Sequence, residues 1–145
     1  MLWLCLVATE GARVVEATEG QTIKLGDAIT LEVLNPPVPP LAGTPSDVNN
    51  NATVVRLRHG GVSFMLTGDL EWEGEASLIN RGVALDGTAL KVAHHGSATS
   101  SSQEFLDNIR PLLAVVSVGQ NNRYGHPRPE VMAPLIPPPA GRRTC

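Results

Sequence analysis

VSFMLTGDLEWEGEASLINRG, residues 62–82, changes its hydrophobic period in the middle. Val62, Phe64 and Leu66 alternate with other residues and so share one side of an extended strand. At Gly68-Asp69 the alternation stops, and Trp72, Ala76 and Ile79 then follow at helical spacing, with Trp72 read as part of the packed side of that helix. A strand that turns through Gly-Asp into a helix begins an α/β unit, and the same succession returns downstream. ALKVA (89–93) is a short apolar strand. Ser101-x-x-Glu104 is a capping box opening a helix through Phe105, Leu106 and Ile109. LLAVVSV (112–118) is a continuous apolar strand of the sort buried on both faces of a sheet. From residue 62 onward the order is strand, helix, strand, helix, strand: an α/β architecture.

Upstream the pattern is β. Ile29, Leu31 and Val33 alternate with Thr30, Glu32 and Leu34, behind a Gly26-Asp27 turn suited to a two-residue hairpin. NPPVPPLAGTPS (35–46) holds five prolines, which exclude ladder and helix alike and predict an exposed loop. ATVVRLR (52–58) pairs with residues 62–67 across His59-Gly60-Gly61, with Thr53, Val55 and Leu57 on one face. His59 belongs to that turn and receives no other role. The apolar opening at 1–7 is too short to span a membrane and lacks the basic start of a signal peptide, so it reads as a strand.

Bulk composition suits one ordinary globular domain. The chain has 145 residues, 42% of them hydrophobic and 17% charged, enough for a sizeable core. Aromatic residues make up only 3%, so the core must rest on Val, Leu, Ile and Ala. A net charge of −3 without a basic run means that nucleic-acid binding cannot be read from charge and must come from a site. Cys5 and Cys145 stand far apart, which suggests neither a disulfide framework nor a zinc knuckle.

The polar residues of interest sit where strands end. Asp69 follows the strand at 62–67, His94 and His95 follow the strand at 89–93, and GQNNRYGHP (119–127) brings His126 after the strand at 112–118. In layered α/β folds ligands bind at the carboxyl ends of strands. One carboxylate and two or three imidazoles at such a rim suit a borderline divalent cation, Zn²⁺ or Mn²⁺. Asp69, with two oxygens, is able to bridge a pair of ions about 3.5–4 Å apart. His94 and His95 are adjacent on an extended chain and point oppositely, so one ligates and the other faces substrate or supports the ligand. The SATSSS run from Ser97 offers hydroxyls and backbone N–H groups to an anionic substrate, while Ser100 to Ser102 also read as loop and cap. Taken singly, an Asp after a strand is a turn or cap residue and a loop His a surface residue; the convergence of three strand ends gives them weight.

FMLTGDLE, LKVAHHGSATSSS and SVGQNNRYGHPRPEV, in this order, resemble the metallo-β-lactamase-fold domain at the C-terminal end of ComEC-type competence proteins, membrane proteins that bring DNA into bacteria during transformation. DVNNNATVVRLRHGGVSFML (47–66) is similar to the same family's approach to its acidic motif, and the resemblance covers roughly residues 20–132. It implies an αββα sandwich with a two-ion metal site and phosphodiester hydrolysis, with DNA as partner and the cell envelope as location. Carried over by position, Asp69 is the metal-bridging acid, His94 and His126 are further metal ligands, and His95 joins Asp69 in catalysis. Ser97, Asn50 and Asn51 are then expected to contact substrate or water.

The family's His-x-His-x-Asp-His signature is absent from these 145 residues. The expected domain, residues 1–132, is therefore the C-terminal half of the sandwich, lacking its first half and the membrane domain, which become implied partners. Residues 133–145, rich in proline, form an irregular tail, and the whole reads as a gene fragment with a shifted frame at its end. Weak activity and self-association through an uncovered sheet face are expected. The alternatives are a non-catalytic remnant or interaction module with residual metal binding, and a hydrolase of the same fold acting on another ester.

Overall fold

The computed structural model describes residues 6–7 and 9–135 and is mixed α/β: one six-stranded mixed sheet with a few short helices. In chain order the elements are β1 (Thr22–Leu25), β2 (Ile29–Asn35), α1 (Asp47–Asn50), β3 (Val54–His59), β4 (Val62–Leu66), α2 (Trp72–Asn80), β5 (Ala89–Lys91), α3 (Gln103–Ile109), β6 (Leu113–Val115) and α4 (Pro129–Met132). The strands lie side by side in sequence order. β1 to β4 are antiparallel neighbours, with turns joining β1 to β2 and β3 to β4 and residues 36–53, including α1, joining β2 to β3; β4, β5 and β6 are parallel, joined through α2 and α3. Parallel neighbours need a crossover that reverses direction, and α2 and α3 supply it. Both expectations, β structure first and strand–helix alternation afterwards, are met.

The register decides which side of each strand faces the helices. Val54 of β3, Met65 of β4 and Leu90 of β5 lie under α2 and α3, where Leu78, Phe105, Leu106 and Ile109 close over them with Leu34 and Leu70. Each such side chain contributes about 1.5–3 kcal/mol through burial. Along the same face, Arg56 is buried beside Glu32 at 2.6 Å and Asp86 at 2.8 Å, and it also donates to the Ala84 carbonyl at 2.7 Å.

The opposite face carries the cleaner apolar alternation. Val55 pairs with Leu66, Leu57 with Phe64, and Phe64 in turn with Ala89, whose neighbour is Leu113. Ile23, Leu25, Val62, Phe64, Leu66, Leu113 and Val115 all stand exposed there. Alternation thus marks a two-sided sheet correctly but assigns Val62, Phe64 and Leu66 to the uncovered side.

Several local expectations are corrected by packing. Residues 112–118 do not form a strand buried on both faces: β6 is a short edge strand, with Leu112 87% and Leu113 58% exposed. The inward stripe of α2 is Gly74, Glu75 and Leu78, with Ile79 half-buried against the same core, whereas Ala76 and Trp72 face outward and Trp72 is 52% exposed. Gly74 faces inward, where a Cβ would collide with the Leu70 side chain, so glycine suits the position. The cap of α3 shifts by one residue: Ser102 Oγ accepts from the Phe105 amide, while Ser101 has φ +61° and gives its own amide to Glu75. The β1–β2 turn spans residues 26–28, entered at Gly26 with φ +64°. Most of the N-terminal apolar run, and residues 136–145 of the expected tail, lie outside the described residues. Among the described residues no helix is long and apolar enough to cross a membrane.

Candidate functional site at the strand ends

Asp69, His94, His95 and His126 follow the carboxyl ends of β4, β5 and β6 and form two pairs, Asp69 with His95 and His94 with His126. Gly68, at φ +57°, turns the chain out of β4, and its carbonyl accepts from the His94 amide at 3.1 Å. Thr67 Oγ1 donates to the Lys91 carbonyl at 2.7 Å, a second tie between the same strand ends. Beyond β5 the chain does not stay extended: His94 (φ 46°, ψ 43°) and His95 (φ 55°, ψ 21°) both adopt left-handed backbone within a short 3₁₀ segment, Ala93–Gly96. The expectation that neighbouring side chains alternate faces therefore fails at this doublet. Left-handed backbone at two successive non-glycine residues is costly, of order 1–3 kcal/mol each, and is sustained by the surrounding bonds.

The two imidazoles enter different pairs. His95 Nδ1 lies 2.6 Å from the Ser117 carbonyl, and a carbonyl only accepts, so Nδ1 carries the proton. His95 Nε2 then faces Asp69 Oδ1 at 3.6 Å, with both side chains about half exposed. His94 Nδ1 lies 3.2 Å from Glu71 Oε1, but the pair is not aligned for a hydrogen bond. Glu71 Oε1 accepts instead from Asn49 Nδ2 at 3.0 Å. The rings of His94 and His126 have centroids 6.0 Å apart, and Tyr124 lies 6.0 Å from His126 on a nearly parallel plane.

His126 is held by its backbone. Asn122 Oδ1 accepts from the His126 amide at 2.9 Å and Asn122 Nδ2 donates to the His126 carbonyl at 2.7 Å. The next residues dock on the His94–Gly96 turn, where the Arg128 amide donates to the Gly96 carbonyl at 2.9 Å. Desolvation, helped by the nearby charges of His94, Arg128 and His95, lowers the His126 pKa, so its ring stays neutral with a nitrogen lone pair free.

The remaining expected residues serve the framework. Ser97 Oγ pairs with Thr99 Oγ1 at 3.0 Å, and its amide closes the turn onto the His94 carbonyl. Asn50 is fully buried: its amide group donates to Thr44 and Glu73, and its oxygen accepts from the Gly74 amide. Asn51 bonds the backbone of Leu41 and Asp47. Ser100 Oγ donates to the Leu70 carbonyl at 2.7 Å. The Ser97 and Ser100 bonds shape the loop after the histidines, while those of Asn50 and Asn51 fix residues 41–51 against the start of α2.

Glu71, Asn49, Asn122 and the Ser117 carbonyl complete the constellation and were not anticipated. Glu71 had a signal, an acid two residues after Asp69 in GDLE, while the others depend on chain reversal. The clefts of the molecule are open to solvent. One of about 480 Å³, lined by Arg58, Asp86 and Arg110, lies at the opposite ends of the strands, away from the histidines.

The donor set can be weighed against the divalent ions that the resemblance implies. His94 Nδ1 and His126 Nδ1 are both buried and lack hydrogen-bond partners, and Asp69 faces His95, so the groups suit such a cation in kind. Among the described residues, however, no three His, Cys, Asp or Glu side chains converge to hold one. The fit is one of chemistry and falls short in number.

No protein-family model matches the chain. It is 38% identical over 123 residues to ComE operon protein 3 of Bacillus subtilis, a match covering 85% of this chain and 15% of that protein. To Competence protein ComA of Neisseria gonorrhoeae it is 44% identical over 82 residues, 56% of this chain and 12% of the relative. To Recombination protein 2 of Haemophilus influenzae it is 36% identical over 87 residues, 60% and 11% respectively. The chain is homologous to a small part of each of these longer proteins.

Proposed function

We propose that this chain is a segment of a competence-type DNA-uptake protein, and that its strand-end cluster is one half of a metal-dependent site that hydrolyses phosphodiester bonds. Homology to a protein named for competence supports the biological setting. The observation that carries the chemistry is the pair of buried, unpartnered imidazole nitrogens on His94 and His126, whose rings lie 6.0 Å apart beside the Asp69–His95 pair. Polar atoms left unsatisfied inside a folded chain call for an ordered water, a ligand or an ion. A Zn²⁺ or Mn²⁺ ion would take only part of its ligand set from Asp69, His94 and His126, which do not converge on one point by themselves, and the rest from outside this chain, with the αββα sandwich as the arrangement in which such a second half would dock. When bound, the ion supplies Lewis acidity toward a phosphoryl oxygen.

The chain's own residues divide the remaining work. His95, pinned through Nδ1 by Ser117, presents Nε2 toward Asp69, where it takes up a proton from an attacking water and the carboxylate stabilises the resulting imidazolium. Neutral His126 offers a lone pair at ordinary pH. Glu71, steadied by Asn49, sets its carboxyl group 3.2 Å from His94 Nδ1 and orients that ring.

A second reading, a non-catalytic remnant or interaction module, is favoured by the lack of three converging donors among the described residues. Metal content of the purified chain after incubation with Zn²⁺ or Mn²⁺ and dialysis separates the two. The first reading expects bound ion that is lost in Asp69→Ala and His126→Ala, with weak plasmid nicking in the same order. Absence of bound ion, or uptake and nicking untouched by both substitutions, overturns it.

A further inference from the structure

The cleft of about 480 Å³ at the rim opposite the histidines lies between the β3–β4 turn, the approach to β5 and the end of α3. Its polar groups are mostly donors. Ser63, in β4, and Thr88, just before β5, exchange bonds: the Ser63 amide donates to Thr88 Oγ1 and the Thr88 amide to Ser63 Oγ, each at 3.1 Å. Both hydroxyls thus accept, and among the described residues neither has an acceptor for its own proton. Ser63 is 7% exposed, so water is a poor substitute there. Gly60 and Gly61 border the same space, and a Cβ on either would meet nothing within 4 Å. Their amides make no hydrogen bond within the described residues and are open to a ligand.

The charges leave one cation over. Asp86 lines the cleft, but both its oxygens are taken: Oδ1 accepts from Arg56 Nη1 at 2.8 Å and Oδ2 from Arg58 Nη2 at 3.3 Å. Glu32 is shared by the same two arginines, so two acids balance two bases. Arg58 bonds them through Nε and Nη2, which leaves Nη1 for a further acceptor. Arg110 also lines the cleft, and it is exposed. Among the described residues no ion pair engages its guanidinium. Its backbone is unusual as well. It ends α3 in left-handed conformation, φ 50° and ψ 54°, with its amide donating to the Leu106 carbonyl at 2.8 Å. Helices that end this way favour glycine there, and a strained residue kept in such a place points to a use for its side chain.

We propose that this cleft binds a phosphate monoester, with Arg110 and Arg58 Nη1 pairing with its oxygens and the Ser63 and Thr88 hydroxyls and the Gly60–Gly61 amides donating to them. The guanidinium fork matches phosphate geometry. Donors converge from a turn, two strand starts and a helix end, which suits an anion with oxygens on several sides better than a flat carboxylate. Val62 and Ile109 supply an apolar wall for the group that carries the phosphate. The site goes beyond the hydrolytic reading and does not depend on it, since it lies at the other ends of the strands.

The test is NMR of the ¹⁵N-labelled full chain titrated with inorganic phosphate in EDTA at constant ionic strength, with chloride as control. Saturable shifts are expected at the Gly60, Gly61, Ser63 and Thr88 amides with phosphate alone. Arg110→Gly separates binding from folding, because glycine relaxes the left-handed cap. Its urea midpoint should equal or exceed the parent's, while phosphate binds about 10-fold more weakly or worse. Glucose 6-phosphate and phosphatidic acid in phosphatidylcholine vesicles carry the same group from a soluble and a lipid source. Whichever is bound by the parent and lost in Arg110→Gly identifies the source. Shifts that do not saturate, an equal response to chloride, shifts confined to the histidine turn, or Arg110→Gly that binds like the parent or unfolds more readily would each overturn the proposal. Phosphate binding should persist in Asp69→Ala and His126→Ala, so this site and the hydrolytic reading fail independently.

Discussion

Gly96→Ala is the sharpest single test of how the site is assembled. Gly96 sits at φ +80°, and a Cβ there would lie 2.7 Å from Pro127 Cβ and 3.0 Å from Pro127 Cα. A left-handed backbone at an alanine costs about 1–2 kcal/mol. The overlap adds about 1–3 kcal/mol, because proline ring and backbone atoms cannot swing aside as a long side chain would. The Gly96 carbonyl also accepts from the Arg128 amide, so displacing Pro127 strains the bond that docks this loop. Gly82→Ala is the control: its φ is +68°, and a Cβ there would meet nothing within 4 Å, so only the backbone part remains. Urea denaturation followed by circular dichroism should show a loss of about 2–5 kcal/mol for Gly96→Ala and about 1–2 kcal/mol for Gly82→Ala. Any ion bound at His94 and His126 should be weakened by the first substitution alone. Equal destabilisation by both would refute the reasoning, since it would mean that Pro127 does not press on the histidine turn.

Three further outcomes follow from the same geometry. Arg56→Ala should cost about 2–3 kcal/mol in denaturant titration, mostly from leaving Glu32 beside a vacated buried position, since Asp86 is 56% exposed and screened by solvent. For Glu75, burial raises the pKa above 4.5 despite the Ser102 and Ser101 amides that donate to its carboxyl group. The folded chain then binds the extra proton, so this group's stabilisation is complete below about pH 4.5 and is lost as pH rises through the raised value. Glu75→Gln should flatten that slope in melts across pH, and it leaves one amide without an acceptor, costing about 1–3 kcal/mol. Phe64→Lys, on the uncovered face, should reduce self-association in sedimentation velocity while changing stability by about 0.5 kcal/mol or less. Parent chain that sediments as a monomer at all concentrations would count against that face being adhesive.

Legibility differed by the range of the interaction involved. The change of period at Gly68-Asp69 and the recurrence of strand and helix are readable because they are local, and they suffice to put Asp69, His94 and His126 at one rim. What was hidden depends on partners far along the chain. Glu75 looks like a surface residue of an amphipathic helix, yet it faces inward because the amides of Ser101 and Ser102, on a loop 26 and 27 residues away, meet its carboxylate. LLAVVSV has the composition of a central strand, but with no seventh strand among the described residues to pair with β6 it stays at the edge, and its apolar side chains face outward. A hydrophobic run reports what a strand is able to cover and says nothing of whether the cover is present.

The same distinction bears on the site. Its internal order comes from short-range closures such as Gly68 to His94, Asn122 to His126 and Gly96 to Arg128, all satisfied within this chain. Its unsatisfied atoms, the Nδ1 nitrogens of His94 and His126, lie between the elements so closed. His94 Nδ1 lies 3.2 Å from the Glu71 carboxylate without a hydrogen bond, and His126 Nδ1 makes none, so the bonded framework leaves both ring nitrogens without a donor or acceptor aligned to them. The unpartnered sheet face shows the same thing on a larger scale, with Phe64, Leu66 and Leu113 ordered by register yet uncovered. Homologues of which this chain spans 15% or less have ample length to supply both a covering layer and further ligands. One docking partner that covered the sheet and added donors at the strand ends would resolve the two deficits together, and a segment that restored ion binding without suppressing self-association would separate them.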